Sequence, residues 1–102
     1  MDSTTRKFLR RRAHDLKPVV MVGKQGPDER ISKALEQALV SHELVKVKFQ
    51  DFHDKMDEIA TSLASSLNAE VVAIIGHIAI IFRQNTDPIK QIIHIPKKMG
   101  RR

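Results

Sequence analysis

Val19-Val20-Met21-Val22-Gly23-Lys24-Gln25-Gly26-Pro27 reads as a strand, a glycine loop and a helix start within nine residues. Val19 to Val22 is a short apolar run with β-branched side chains, the composition of a buried strand. Gly23 and Gly26 let the backbone turn sharply and let another group approach the main chain closely. Pro27 has its φ preset for a first helical position, where a missing N–H costs nothing. A helix beginning there points unpaired N–H groups and a positive dipole end out of the loop, beside the Lys24 cation. That combination suits an anion, most simply a phosphate.

Working outward, Ile31, Ala34, Leu35, Ala38 and Leu39 recur at helical spacing and predict a helix from about Pro27 to Ser41. Between Leu44 and Phe49, Val45, Val47 and Phe49 alternate with Lys46 and Lys48, the period of a strand with one wet face. Those two lysines either meet phosphate or guard a sheet edge against another chain, and the pattern leaves both readings open. As edge guards they would favour a monomer. Met56, Ile59, Ala60, Leu63, Ala64 and Leu67 form the stripe of another helix, starting at or just before Asp54 and closed by Asn68 in the left-handed conformation. Two nearly continuous apolar runs then flank Gly76-His77, a glycine-first two-residue link of the type II′ hairpin kind. Gln91 to Ile95 reads as one further short strand. Upstream, Asp2 or Ser3 caps a first helix to about His14, with Phe8, Leu9, Ala13 and Leu16 inward and Arg6, Lys7, Arg10 and Arg11 largely outward. Lys17-Pro18 ends it.

The resulting order, α-β-α-β-α-β-β, predicts a single compact α/β domain with a mixed four-stranded sheet packed with helices. At 102 residues there is room for one domain and no second one. The expected division is residues 1–96 as the domain and 97–102 as a basic tail. A hydrophobic share of 41% is enough for a core. Without cysteine, disulfides, thiol catalysis and thiolate metal sites are excluded. The longest apolar run, Val71 to Phe82, is too short for a membrane span and is broken by Gly76-His77. The opening residues hold no apolar signal core, so a soluble cytoplasmic protein is expected. Charge is unevenly spread: seven cations against two acids in residues 1–26, and four cations with no acid in 96–102, leave the middle of the chain net negative. A localised basic patch for a polyanion follows.

The segments Arg11-Arg12-Ala13-His14-Asp15-Leu16-Lys17-Pro18 running into the glycine loop, His42-Glu43-Leu44-Val45-Lys46-Val47-Lys48, and the Gly76-His77 to Phe82-Arg83 hairpin together resemble the CRM domain in its bacterial stand-alone, YhbY-like form. The likeness extends over about residues 3 to 96. It implies a fold similar to the C-terminal domain of translation initiation factor three and an RNA-binding role on precursors of the large ribosomal subunit. The family's Gly-x-x-Gly loop falls on Gly23-Lys24-Gln25-Gly26. Its final hairpin often carries Gly-Lys and Tyr-Arg, where this chain has Gly76-His77 and Phe82-Arg83.

The candidate RNA-binding residues are therefore Gly23, Lys24, Gln25, Gly26, Arg6, Lys7, Arg10, Arg11, Lys17 and Arg83. Of the four aromatic rings, Phe8, Phe49 and Phe82 read as core and only Phe52 sits in a loop-like segment. Base stacking thus has little to work with, and a reader of RNA backbone or duplex shape is expected, with no DNA preference and no membrane; that the RNA is rRNA is what the resemblance implies. Asp51, His53, Asp54, Asp57 and Glu58 are the densest polar group, but carboxylates at a helix start complement its dipole. Neither a nucleophile elbow nor a Walker loop is present, so no enzyme activity and no cofactor are assigned. The rival reading is a basic adaptor that docks on an acidic protein.

Overall fold

The computed structural model describes residues 1–96; the expected basic tail, 97–102, lies outside them. Three helices and four strands follow in the predicted order: α1 (Ser3–Ala13), β1 (Val20–Val22), α2 (Glu29–His42), β2 (Leu44–Phe49), α3 (Met56–Ser66), β3 (Glu70–Ile75) and β4 (Ile78–Phe82). One mixed sheet results, in the order β1-β2-β4-β3, with β1 and β2 parallel and the other pairs antiparallel.

Period-two alternation sends the strand residues to two separate cores. Val20, Val22, Val45, Val47, Phe49, Ala79 and Ile81 face α2 and α3, joined by Leu35, Leu39, Met56, Ala60, Leu63 and Ala64. On the opposite face Leu44, Val72, Ile80 and Phe82 meet Leu9 and Ala13 of α1 and Ile93 from beyond β4. Helix ends obey the side chains that flank them. The Asp2 carboxylate accepts from the Thr5 N–H at the start of α1. After α3, Asn68 takes φ 57° as predicted, and the N–H groups of Asn68 and Ala69 return to the carbonyls of Ser65 and Ala64, closing a Schellman motif. At the hairpin Gly76 has φ 57° while His77 stays out of the left-handed region, as a type II′ turn requires.

Several expectations need correction. Leu16, expected inward, is exposed, and so are Val19 and Met21 of the expected buried strand, because β1 lies at the sheet edge. Helix α2 begins at Glu29 rather than Pro27, because Asp28 acts as its N-cap and accepts from the Ile31 N–H at 3.1 Å. Lys46 and Lys48 guard no edge: β2 is an interior strand, and β1 and β3 are the edges. Gln91 to Ile95 adds no strand. The N–H groups of Ile92 and Ile93 donate instead to Glu43 Oε1 at 2.9 and 2.7 Å, and the Asn85 N–H donates to Oε2 of the same carboxylate.

Glu43 is therefore a structural centre. It is fully buried, at the C-cap of α2, with φ 64° and ψ −41°, a conformation rarely held by a residue with a side chain. Its carbonyl accepts from the Arg83 N–H at 2.9 Å, so main chain and side chain together bind the segment after β4 to the end of α2. Burial alone would raise its carboxyl pKa, but N–H donation from Ile93, Asn85 and Ile92, with the charge of His94 nearby, holds it below the ordinary value.

Candidate nucleic-acid interface

Strands β1, β2 and β3 all point the same way, so the links that follow them gather at one end of the sheet. These are the Gly23 to Gly26 loop, the 50–52 segment and the Gly76-His77 turn. In the glycine loop the Gly26 N–H donates to the Gly23 carbonyl at 2.9 Å. Gly26 has φ 75°, and an added Cβ would lie 3.4 Å from the ring of Phe52 beneath it. Folding thus demands glycine at 26. Gly23 has no positive φ, and a Cβ there would meet nothing closer than Gln50 Oε1 at 3.9 Å, so the fold itself does not demand glycine at 23.

The loop opens on a shallow hollow that includes Met21, Lys24, Gln25, Asp28 and Arg30. Its chemistry differs from the simple phosphate seat. The Asp28 carboxylate already occupies the helix N-terminus, and its pKa is lowered by the Ile31 N–H and the Arg30 guanidinium. Arg30 also donates to the Gln25 side-chain oxygen. Lys24, Gln25 and Arg30 are exposed at the hollow, while Gly23 is half-buried and Gly26 buried.

Around this loop the charges separate by face. Helix α1 carries five cations and no acid, and Lys7, Arg10, Arg11 and Arg12 are exposed. Lys46 and Lys48 point to the same side of the sheet as α1, by their alternation with Val45, Val47 and Phe49. Lys46 Nζ donates to the His14 carbonyl at 3.3 Å, capping the end of α1. Lys17 is exposed in the link from α1 to β1. Across the sheet, α2 and the first turn of α3 carry Glu29, Glu36, Asp57 and Glu58, with Asp54 in the short 3-10 turn His53–Lys55 before α3, and these offset the cations of the same segments.

The family model of the CRS1/YhbY (CRM) domain matches residues 1–83. This chain belongs to the CRM domain family. A protein of Methanocaldococcus jannaschii named as a probable RNA-binding protein is 39% identical over 97 residues, covering 91% of this chain and 71% of the relative. An RNA-binding protein of Haemophilus influenzae is 32% identical over 99 residues, covering 96% and 97%. The solution structure of a Staphylococcus aureus protein, described as a candidate RNA-binding protein, superposes with a TM-score of 0.77 at 28% identity, covering 94% of this chain and 99% of that one. The mixed sheet and its helices are thus the fold of that neighbour.

Within this CRM domain two of the ten sequence-predicted residues have structural work. Arg6 Nη1 donates to the Val71 and Val72 carbonyls at 3.0 and 2.6 Å, where β3 bulges out of register with β4. It pins α1 to an edge strand at its bulge. Arg83 grips Glu36 with both terminal nitrogens, at 2.7 and 3.0 Å, and also donates to the Leu67 carbonyl. The pairing lowers the Glu36 pKa and raises that of Arg83. Both arginines are thus held by bonds within the fold. Lys7, Arg10, Arg11, Lys17 and Lys24 are all exposed.

The sequence reading missed a stacked pair of rings. His53 and His77 lie parallel, with centroids 3.6 Å apart and planes within 6°. One backbone unit holds both: His53 Nε2 donates to the Phe49 carbonyl at 2.9 Å, and the Phe49 N–H donates to the His77 carbonyl at 2.8 Å. Sequence spacing gave no signal for it, since the two residues meet only through the β2–β4 register.

Proposed function

We propose that this CRM domain is a non-catalytic, monomeric, cytoplasmic RNA-binding module that holds rRNA of large ribosomal subunit precursors during assembly. The observation that carries the reading is an imbalance of charge: on one face the cations of α1, with Lys17, outnumber Asp2, Asp15 and Glu70, and Lys24 stands exposed at the loop, while Glu29, Glu36, Asp57 and Glu58 lie across the sheet. Lys7, Arg10, Arg11 and Lys17 neutralise phosphates, and Lys24 with the Gly23 backbone takes one phosphate at close approach. The RNA-binding names of the relatives support the same chemistry. Any effect on assembly follows from holding one RNA conformer.

The test is binding of a large-subunit rRNA fragment at several salt concentrations, with Lys24→Ala and Gly23→Ala variants, beside sucrose-gradient sedimentation of lysate with and without RNase. Lys24→Ala should reduce the slope of log K against log salt by about 0.7–0.9. Gly23→Ala should weaken binding with no loss of stability. Comigration with large-subunit precursors should disappear on RNase treatment. A shallow salt slope and a sedimentation profile indifferent to RNase would point instead to an acidic protein partner.

A further inference from the structure

Helix α1 covers only half of its face of the sheet. Its partners Leu44, Ile80, Phe82 and Val72 lie toward the end away from the glycine loop. One row nearer that loop, the register sets Met21 beside Lys48, Lys48 beside Ile78, and Ile78 beside Ile75, all on the α1 side. Met21 and Ile75 are each 50% exposed, Lys48 is exposed and Ile78 half-buried. Gln50, which donates to the Met21 sulfur, and the capping Lys46 border this row, and no carboxylate lies among these six residues. At the hairpin end, the exposed His77 carries His53 stacked on one face of its ring.

We infer that this uncovered half of the sheet is a bed for unpaired RNA, entered from the phosphate held at the glycine loop. The inference rests on the RNA-binding reading above and narrows its substrate class. An apolar–cation–apolar row fits the alternation of a single strand, base faces against Met21, Ile78 and Ile75 and a phosphate on Lys48. A duplex buries its base faces and offers only phosphate and sugar to such a floor. His77 stands two strand spacings from Val22, roughly 10 Å, which a few nucleotides of single strand bridge, and its ring stacks the last base. The expectation of a reader of RNA backbone or duplex shape rested on the want of free aromatic rings and did not weigh the aliphatic row or the histidine pair. All four phenylalanines do pack into or against the two cores.

Methyl NMR of the full chain, titrated separately with an unpaired oligouridine octamer and with a blunt RNA duplex of equal length, tests this. The octamer should shift the methyls of Met21, Ile75 and Ile78 by ring currents and leave the distant, exposed Ile89 unmoved; the duplex should move none of them. In His77→Ala the preference for octamer over duplex should fall about tenfold, and in Lys48→Ala the octamer affinity should fall several-fold. If both RNAs bind with Lys24-dependent affinity and the three methyls stay still, or the duplex moves them equally, the bed is wrong and the basic-face reading stands. If neither RNA binds, the RNA reading fails and this inference with it.

Discussion

The α2/α3 face of the sheet is closed, and the α1 face is half open. Thirteen buried residues from strands and two helices fill the first, whereas seven, one of them from beyond β4, make up the second. Strand β2 contributes to both. Its Val45, Val47 and Phe49 are each at most 2% exposed, and its Leu44, Lys46 and Lys48 pass from buried to exposed along the other face. The lesson is that polar positions alternating along an interior strand do not mark an edge. They mark a face that the domain keeps for solvent or a partner, next to a face that supplies stability.

That division predicts where mutations hurt the fold most. Phe49→Ala removes a fully buried ring from the closed face and should cost about 3–5 kcal/mol, seen as a lower urea midpoint. Leu9→Ala on the half-open face should cost less, nearer about 2 kcal/mol, because α1 can settle toward the uncovered half. Equal losses from both would remove the stability distinction between the faces.

The next effect concerns what fastens the α1-side core at its far end. Glu43→Gln places a side-chain N–H₂ among three N–H donors and should cost about 1–3 kcal/mol. The loss should be concentrated in hydrogen exchange at Asn85, Ile92 and Ile93. Acid should act on the same group. Its folded pKa lies below the ordinary 4.5, so the stability it contributes is full above that value and disappears as pH falls through the folded pKa. Protection of Ile92 and Ile93, measured against intrinsic exchange, should therefore fall below about pH 4.5 in the native protein and stay constant with pH in Glu43→Gln. Opening of α2 and α3 at the same pH would place the acid-labile point elsewhere.

Glu43 also shows where sequence reading runs short. Helices, strands, the Asn68 cap and the hairpin were legible because each is written in local spacing and turn chemistry. A glutamate after a helix reads as one more surface acid; nothing local says that its carboxylate replaces the ladder of an expected last strand. The internal bonds of Arg6 and Arg83 were illegible for the same reason, since their partners lie 65 and 47 positions away. Lys24, on a local motif, was legible and is exposed. Asp28 was not, because a proline beside it offered an equally good helix start.

The smallest stability effect should come with the sharpest test of the two faces. Lys7→Gln with Arg11→Gln removes two exposed cations from the α1 side, and Lys33→Gln with Lys55→Gln removes two from the α2/α3 side. Each pair changes the net charge equally, and each exposed substitution should shift stability by no more than about 0.5 kcal/mol. Lys33 is 3.9 Å from Glu29 across one helical turn, a solvent-exposed pair whose loss matters little. If RNA responded only to total charge, both variants would weaken it alike. Binding through one face makes a different demand: the first pair should lower the salt slope by about 1.4–1.8 if both cations touch phosphate, and the second should leave it unchanged. Equal slopes would dissolve the distinction between the faces as far as binding goes, while leaving the difference in their packing intact.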